Sequence, residues 1–524
     1  MNAPRTPRTP RPSARARAGL GLAFALAVAT VTGCTAVAAS ETASAGSSSS
    51  ASGTSSETTS TTTAETPSSV TEVVEANSDQ TVVNDDEWSE DDAADIVLSG
   101  TSAETTATGV SVSDGTVTIT EAGVYRLSGD LDGSVVVAAA DDAQVVLILD
   151  GVTITADGAP AIQVTTADDV AIFLAEGSSN AVSSTGSYAE DADANAAIWA
   201  DTDLTVSGTG SLVVDGSAED GITSKDDLVV LSGTIDVTAA DDGLKGNDSL
   251  TLRGGTITVD AGGDGLASDQ DADDTQGWVL VEGGTLDITA GSDGIDGFTD
   301  VVVTGGDVVI SSEEGIEAGT VAIGGGTIDI TATDDGINGS AGTSSDSASS
   351  DDGQDAFGGG GGGGGMSDSG ELVLIAGGTI TVDAQGDGLD SNGSMQITGG
   401  TTVVYGPTGS GNGALDTNGE FTISGGSLIA LGSSGMAESP STSSAQAWVA
   451  ASVSGSAGAT VEIVASDGTV LASTTAEKEF ATVVFSSADV VAGETYTVTV
   501  DGTSAVSATT GQALSGGMGG GGRR

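Results

Sequence analysis

Histidine is missing from this 524-residue chain, and cysteine occurs once, at Cys34. The first absence excludes a catalytic histidine, a Ser-His-Asp triad and zinc held by imidazole. The single cysteine rules out an intramolecular disulfide and any thiolate cluster. Basic residues are scarce: 12 Lys and Arg stand against 76 Asp and Glu, a formal charge of −64. Such a surface repels nucleic acid and anionic lipid, which both require a basic patch. Aromatics make up only 3% of the chain, so platforms for stacking sugar rings are few. Long helical patterns are lacking beyond the N-terminal segment. Any metal site must use oxygen ligands alone, which points to calcium and less strongly to magnesium.

What the chain has in quantity is glycine, 81 residues of it, with many Val, Ile, Thr and Ser. That mixture suits short strands separated by tight turns, and the class read from it is all-β. Between residues 210 and 420 a phrase of about 21–22 residues recurs eight times: Gly-Thr-Ile-x-Val-x-Ala-x-Asp-Asp-Gly-Ile, a polar turn, then a strand such as LTLRG. Its acid-Gly step falls at Asp220, Asp242, Asp264, Asp293, Glu314, Asp335 and Asp387, and a degenerate copy at 413–416 lacks it. A fixed period of this size means a solenoid whose units bury their apolar side against their neighbours. Parallel crossovers are overwhelmingly right-handed, so the expected fold is a right-handed parallel β-helix. The Ile or Leu after each step (Ile222, Leu244, Leu266, Ile295, Ile316, Ile337, Leu389) should form an inward column.

Composition shifts divide the chain. Residues 1–33 carry Arg5, Arg8, Arg11, Arg15 and Arg17, then an apolar run from Ala18 to Val31, the pattern of an export signal. It ends in Val31-Thr32-Gly33-Cys34, which resembles the bacterial lipobox, so Cys34 is the expected lipidation site; the alternative is a secreted protein cut after Ala38. The reading is a lipoprotein facing outward from the cell membrane, and a monomer. Residues 34–84 read as a disordered Ser/Thr-rich stalk. Residues 85–207 read as irregular N-terminal coils and 208–440 as regular coils with a disordered insert at 340–370. Residues 441–512 form a small C-terminal β cap, and 513–524 a Gly-rich tail.

Stacking the coils stacks carboxylates about 4.8 Å apart, where two unit charges repel by roughly 3.5 kcal/mol at an effective dielectric of about 20. The densest patch is Asp293, Asp296, Glu313, Glu314, Glu317, Asp334 and Asp335, over three consecutive coils. With Asp220, Asp242 and Asp264 these are the candidate calcium ligands. A second reading stands beside this one: Asp-Gly is also good turn chemistry, with Asp bonding its own backbone and Gly taking positive φ. Trp199, Trp278 and Tyr188 are candidates for sugar contact if they lie exposed; packing at loops or edges is the alternative.

The stretches AAIWADTDLTVSGTGSLVVDG, DGITSKDDLVVLSGTIDVTAADDGLKGNDSLTLRGG, GGTITVDAGGDGLASDQ, GSDGIDGFTDVVVTGG and GTIDITATDDGINGS resemble bacterial carbohydrate-binding domain proteins of parallel β-helix fold, which are similar in architecture to calcium-dependent pectate lyases. The resemblance covers about residues 85–510. It implies cell-surface binding of plant-type or acidic polysaccharide, with bound calcium. A pectate-type lyase would also need a Lys or Arg base beside the metal, and Lys225 and Lys245 are the candidates. A lysine among carboxylates holds its proton firmly, which disfavours it as a base. The expected function is therefore binding without catalysis; the alternatives are a polysaccharide lyase and a structural adhesin.

Overall fold

The computed structural model describes residues 66–189, 192–340 and 368–514. The signal segment, Cys34, the stalk up to residue 65, the body of the insert and most of the Gly-rich tail lie outside these.

The body is one large sheet system in which the strands of successive coils pair in parallel. Three strands make a coil, for example Asp220–Ser224, Asp227–Val230 and Thr234–Ala239. They lie against Leu244–Gly246, Ser249–Leu252 and Thr256–Asp260 of the next. The registers set Ile222 beside Leu244, Val229 beside Thr251 and Ile235 beside Ile257. The chain is thus all-β, and its pairing is that of a β-solenoid. Like residues meet along the inward columns because one-residue slippage would turn every inward side chain out to water.

Each coil contributes inward side chains to a continuous core. Ile222, Leu244, Leu266, Ile295, Ile316, Ile337 and Leu389 are all 0% exposed. Burying one such side chain stabilises by about 1.5–3 kcal/mol. The strands Thr234–Ala239 and Thr327–Ala332 alternate strictly, apolar in and Thr or Asp out. The strands Trp278–Val281, Val301–Val303 and Leu372–Ile375 are buried on both faces, so something must cover their outer side.

The cover is the N-terminal segment. Residues 66–84, expected to continue the stalk, instead carry helix α1 (Val70–Ala76) and an extended strap. Val73 of α1 packs among Trp278, Leu280, Val302, Ala322, Leu372 and Leu374. The strap then runs back along the stack. Ser78 N–H donates to the Thr275 carbonyl (2.8 Å), Thr81 N–H to Asp227 Oδ2 (2.7 Å) and Val83 N–H to Thr205 Oγ1 (3.0 Å). Val83 ends among Val146, Ile148, Ala171 and Ala175. The outward column Ala171–Thr205–Val229–Thr251–Leu280–Val302–Ala322–Leu374 lies under this path, and its next members, Gln396 and Thr422, are polar. Apolar surface stops where the strap does.

The stack is closed by antiparallel pairing. At its start Ala94–Gly100 pairs with Ser102–Thr105, and Val110–Ser113 with Thr116–Ile119. At its end Phe480–Ser486 pairs with Ser427–Gly432 and Trp448–Gly455, so the last coil offers no free edge there. A four-stranded sheet (Thr460–Val464, Val470–Thr475, Thr495–Val500, Thr503–Thr509) packs beside it on a core that takes in Tyr405, Ile429 and Leu431.

Candidate metal centre

The acid-Gly steps are not turns of the kind the dipeptide suggests. Positive φ falls instead on the glycine before each Thr-Ile strand, such as Gly255 at +97° and Gly284 at +98°. At Gly243, the glycine of an acid-Gly step, an added Cβ would sit 2.6 Å from the Gly265 carbonyl oxygen and 2.3 Å from Val259 Cγ1. The close approach of the next coil demands glycine there, not a left-handed backbone.

The aspartate of the step also bonds forward, not to its own turn. Asp242 N–H donates to Asp220 Oδ1 (3.3 Å), Asp264 N–H to Asp242 Oδ1 (2.9 Å) and Asp293 N–H to Asp264 Oδ1 (3.0 Å). Further on, Asp387 N–H donates to Asp335 Oδ1 and Gly413 N–H to Asp387 Oδ1. Each carboxylate staples its coil to the next. Burial, followed by the neighbouring carboxylates, raises these groups: Asp220 to about 7 and Asp387 to about 7. Asp335 is raised to about 6, chiefly by burial.

The ladder breaks between Asp293 and Asp335. Glu314 is the only glutamate among the seven steps, and its N–H donates to the Ser292 carbonyl (3.3 Å). Where this backbone staple is missing, Asp293, Glu314 and Glu317 converge, with carboxylate oxygens all within 4.8 Å of one another. Among the described residues this is the one such group of three. Asp296 is the register partner of Glu317, and Glu317 of Asn338. Asn338 Nδ2 donates to Glu314 Oε2 (3.1 Å). Its Oδ1 is buried with no hydrogen-bond partner, on a residue only 8% exposed. A buried amide oxygen without a donor costs about 1–3 kcal/mol, and a cation beside it would remove that cost.

Electrostatics point the same way. Burial, then Asp264, Glu317 and Glu314, push Asp293 up to about 8. Burial, then Asp264, Asp293 and Glu317, raise Asp296 well above its ordinary value. Glu314 is raised by burial against the relief of its Asn338 bond. Three converging carboxylates, with an orphaned amide oxygen on the coil beside them, offer oxygen donors of the kind a hard divalent cation takes.

The structure separates the other candidates from this group. Glu313 and Asp334 are exposed beside it. Asp335, Asp220, Asp242 and Asp264 each give their Oδ1 to the ladder. Lys245 Nζ lies 3.2 Å from Asp242 Oδ2 and 2.8 Å from Asp269 Oδ2. Burial would lower its pKa, yet the two carboxylates outweigh burial and raise it, which disfavours it as a base. Lys225 is exposed on the turn after Ser224. The two indoles do not offer stacking faces, and Tyr188 is half-buried. Trp199 and Trp278 are 5% and 2% exposed, Trp278 beneath α1, and the Tyr188 hydroxyl is bonded to Ser184 and to the Ala196 carbonyl. Trp278 lies under the strap, and Trp199 is buried between its register partners Gln163 and Thr223, outside the inward core.

Comparison with known proteins bears on the same segment. Residues 113–356 match the family described as carbohydrate-binding domain-containing protein, a narrower span than the resemblance read over 85–510. A relative of that description from Acetivibrio thermocellus is 37% identical over 136 residues, which is 25% of this chain and 48% of the relative. The chain thus spans about half the length of the curated relative it matches. A solved structure, the polysaccharide lyase-like protein from C. thermocellum as a gadolinium derivative, is 33% identical over 45% of this chain and 94% of that one, at a TM-score of 0.40. Over residues 113–356, then, this chain is similar to the carbohydrate-binding domain-containing proteins, and that segment holds Asp293, Asp296, Glu314, Glu317 and Asn338.

Proposed function

We propose that the chain is an exported, cell-surface polysaccharide-binding protein that holds calcium at Asp293, Glu314 and Glu317, with Asn338 Oδ1 and Asp296 completing the oxygen set. The carrying observation is the interrupted ladder: three carboxylates converge where the staple is missing. Calcium takes six to eight oxygens with tolerant geometry, which suits carboxylates of mixed length better than the strict octahedron of magnesium. An acidic polysaccharide then bridges to the protein through the ion, since a chain of this charge repels uronates directly. Catalysis is not part of the reading, because Lys245 is held by two carboxylates.

The architecture belonging to this proposal is a right-handed parallel β-helix with coils of 21–22 residues. Register partners such as Ile235 and Ile257, and the strong bias of parallel crossovers, support it. The protein acts as a monomer, anchored in the membrane through Cys34. Retention on polygalacturonate with calcium, lost with chelator and lost in Glu317→Gln, tests the function. Equal retention with and without chelator would remove calcium from it.

A further inference from the structure

A second feature lies at the seam between the C-terminal β element and the last coils, with every lining residue but Thr331 and Ala332 outside residues 113–356. Lys478 crosses this seam, its Nζ 2.7 Å from Asp383 Oδ1 and donating also to the Ala384 carbonyl. Around this ion pair is a cavity of about 300 Å³ lined by Thr331, Gln385 and Thr408. Thr408 also lines an adjoining cavity of about 450 Å³. There Ser410, Ser434, Ser454 and Ser456 present exposed hydroxyls beside Glu479. The two cavities meet at Thr408 and run together along the seam.

We propose that this seam is a binding groove for a neutral oligosaccharide, separate from the carboxylate cluster. The chemistry of the lining carries the assignment. Each Ser or Thr hydroxyl both donates and accepts, and Gln385 adds an amide that does the same. The Lys478–Asp383 pair sets a fixed donor beside a fixed acceptor. A sugar ring presents that mixture along its edge. Two alternatives fit less well. An apolar ligand finds little greasy lining, as Phe480 is only 5% exposed. A polyanion meets Glu479 and Asp383, and the one lysine is already paired. The groove rests on the carbohydrate reading for its ligand class but not on calcium. It also puts the ligand mostly on a part of the chain that the family match does not reach, Thr331 and Ala332 excepted.

The test uses the full chain and neutral hexasaccharides of β-linked glucose, xylose, mannose and galactose, titrated in excess chelator. Binding of at least one is expected. Thr408→Arg, which fills the junction of the two cavities, should weaken it by about tenfold or more, and Gln385→Ala by about three- to tenfold. Both residues are exposed, so the melting temperature should hold, and calcium-dependent retention on polygalacturonate should be unchanged. Failure of every neutral hexasaccharide to bind, or equal binding by both variants, would overturn the groove. Loss of polygalacturonate retention alongside intact neutral binding would instead sink the calcium reading and leave the groove standing.

Discussion

Replacing Asp220 by asparagine should make the protein more stable at pH 8. The residue is 3% exposed, and its Oδ1 accepts the Asp242 N–H while Thr223 Oγ1 donates to Oδ2 at 3.1 Å. Burial, then the Asp242 charge, push its carboxyl to about 7 from an ordinary 3.8, against the relief given by Lys245. A raised carboxyl binds its proton more tightly in the folded state. Stability from this source is complete below pH ~3.8 and is lost as pH climbs through about 7. At about 1.4 kcal/mol per unit the penalty above pH 7 has a ceiling of about 4 kcal/mol, and water entry should bring it nearer 1–3 kcal/mol. Asparagine keeps the accepting Oδ1 and carries no charge, and the Thr223 hydroxyl turns to accept from Nδ2. Urea unfolding of both proteins in chelator from pH 4 to 9 measures the difference. The curves should coincide near pH 4 and part as pH rises, with the variant on top. A variant less stable at pH 8, or a gap indifferent to pH, would refute the account of the ladder. Asp220→Ala supplies the converse, because it strands the buried Asp242 N–H and should cost about 1–3 kcal/mol near pH 5.

Further outcomes follow from the same geometry. Saturating calcium at pH 8 should stabilise the wild type by about 2.7 kcal/mol at 100 times its dissociation constant. Asp293→Asn should abolish that gain, and calorimetry would show both. The calcium response should shrink as pH falls through about 8, where Asp293 takes up its proton; an unchanged response at pH 6 would contradict it. Gly243→Ala should destabilise by about 1–3 kcal/mol in thermal melts, since its Cβ would meet the Gly265 carbonyl, whereas an alanine-tolerant melt would show that the coils can separate. Ile316→Ala, at 0% exposure, should cost about 2–5 kcal/mol in the same assay.

The inward columns were legible in the sequence because like residues recur at fixed spacing and one-residue slippage is forbidden. The role of the acid-Gly step was not. A dipeptide favoured in turns was placed by the stack where its carboxylate reaches the next coil and its glycine meets a neighbouring carbonyl, and neither contact is local. The convergence at Asp293, Glu314 and Glu317 lay within the patch expected from charge density, and the sharper signal was the glutamate at 314 in a column of aspartates. Residues 66–84 were misread because their composition is sparse in large apolar groups. Two cues stood there all the same. Ser69 with Glu72 begins a helix, Ser69 Oγ accepting the Glu72 N–H, and strands such as WVLV and LVLI, apolar on both faces, ask for a cover.

The strap bears on how the molecule comes apart. In a repeat array each coil feels only its neighbours, so an end can fray one coil at a time. A single segment touching Leu374 at one extreme and Val146 at the other ties distant coils into the same event. Opening any coil beneath it requires lifting contacts shared with the rest. Amide exchange along the Leu280–Leu374 face should accordingly report one common opening free energy, where an unstrapped solenoid would show a gradient from tip to centre.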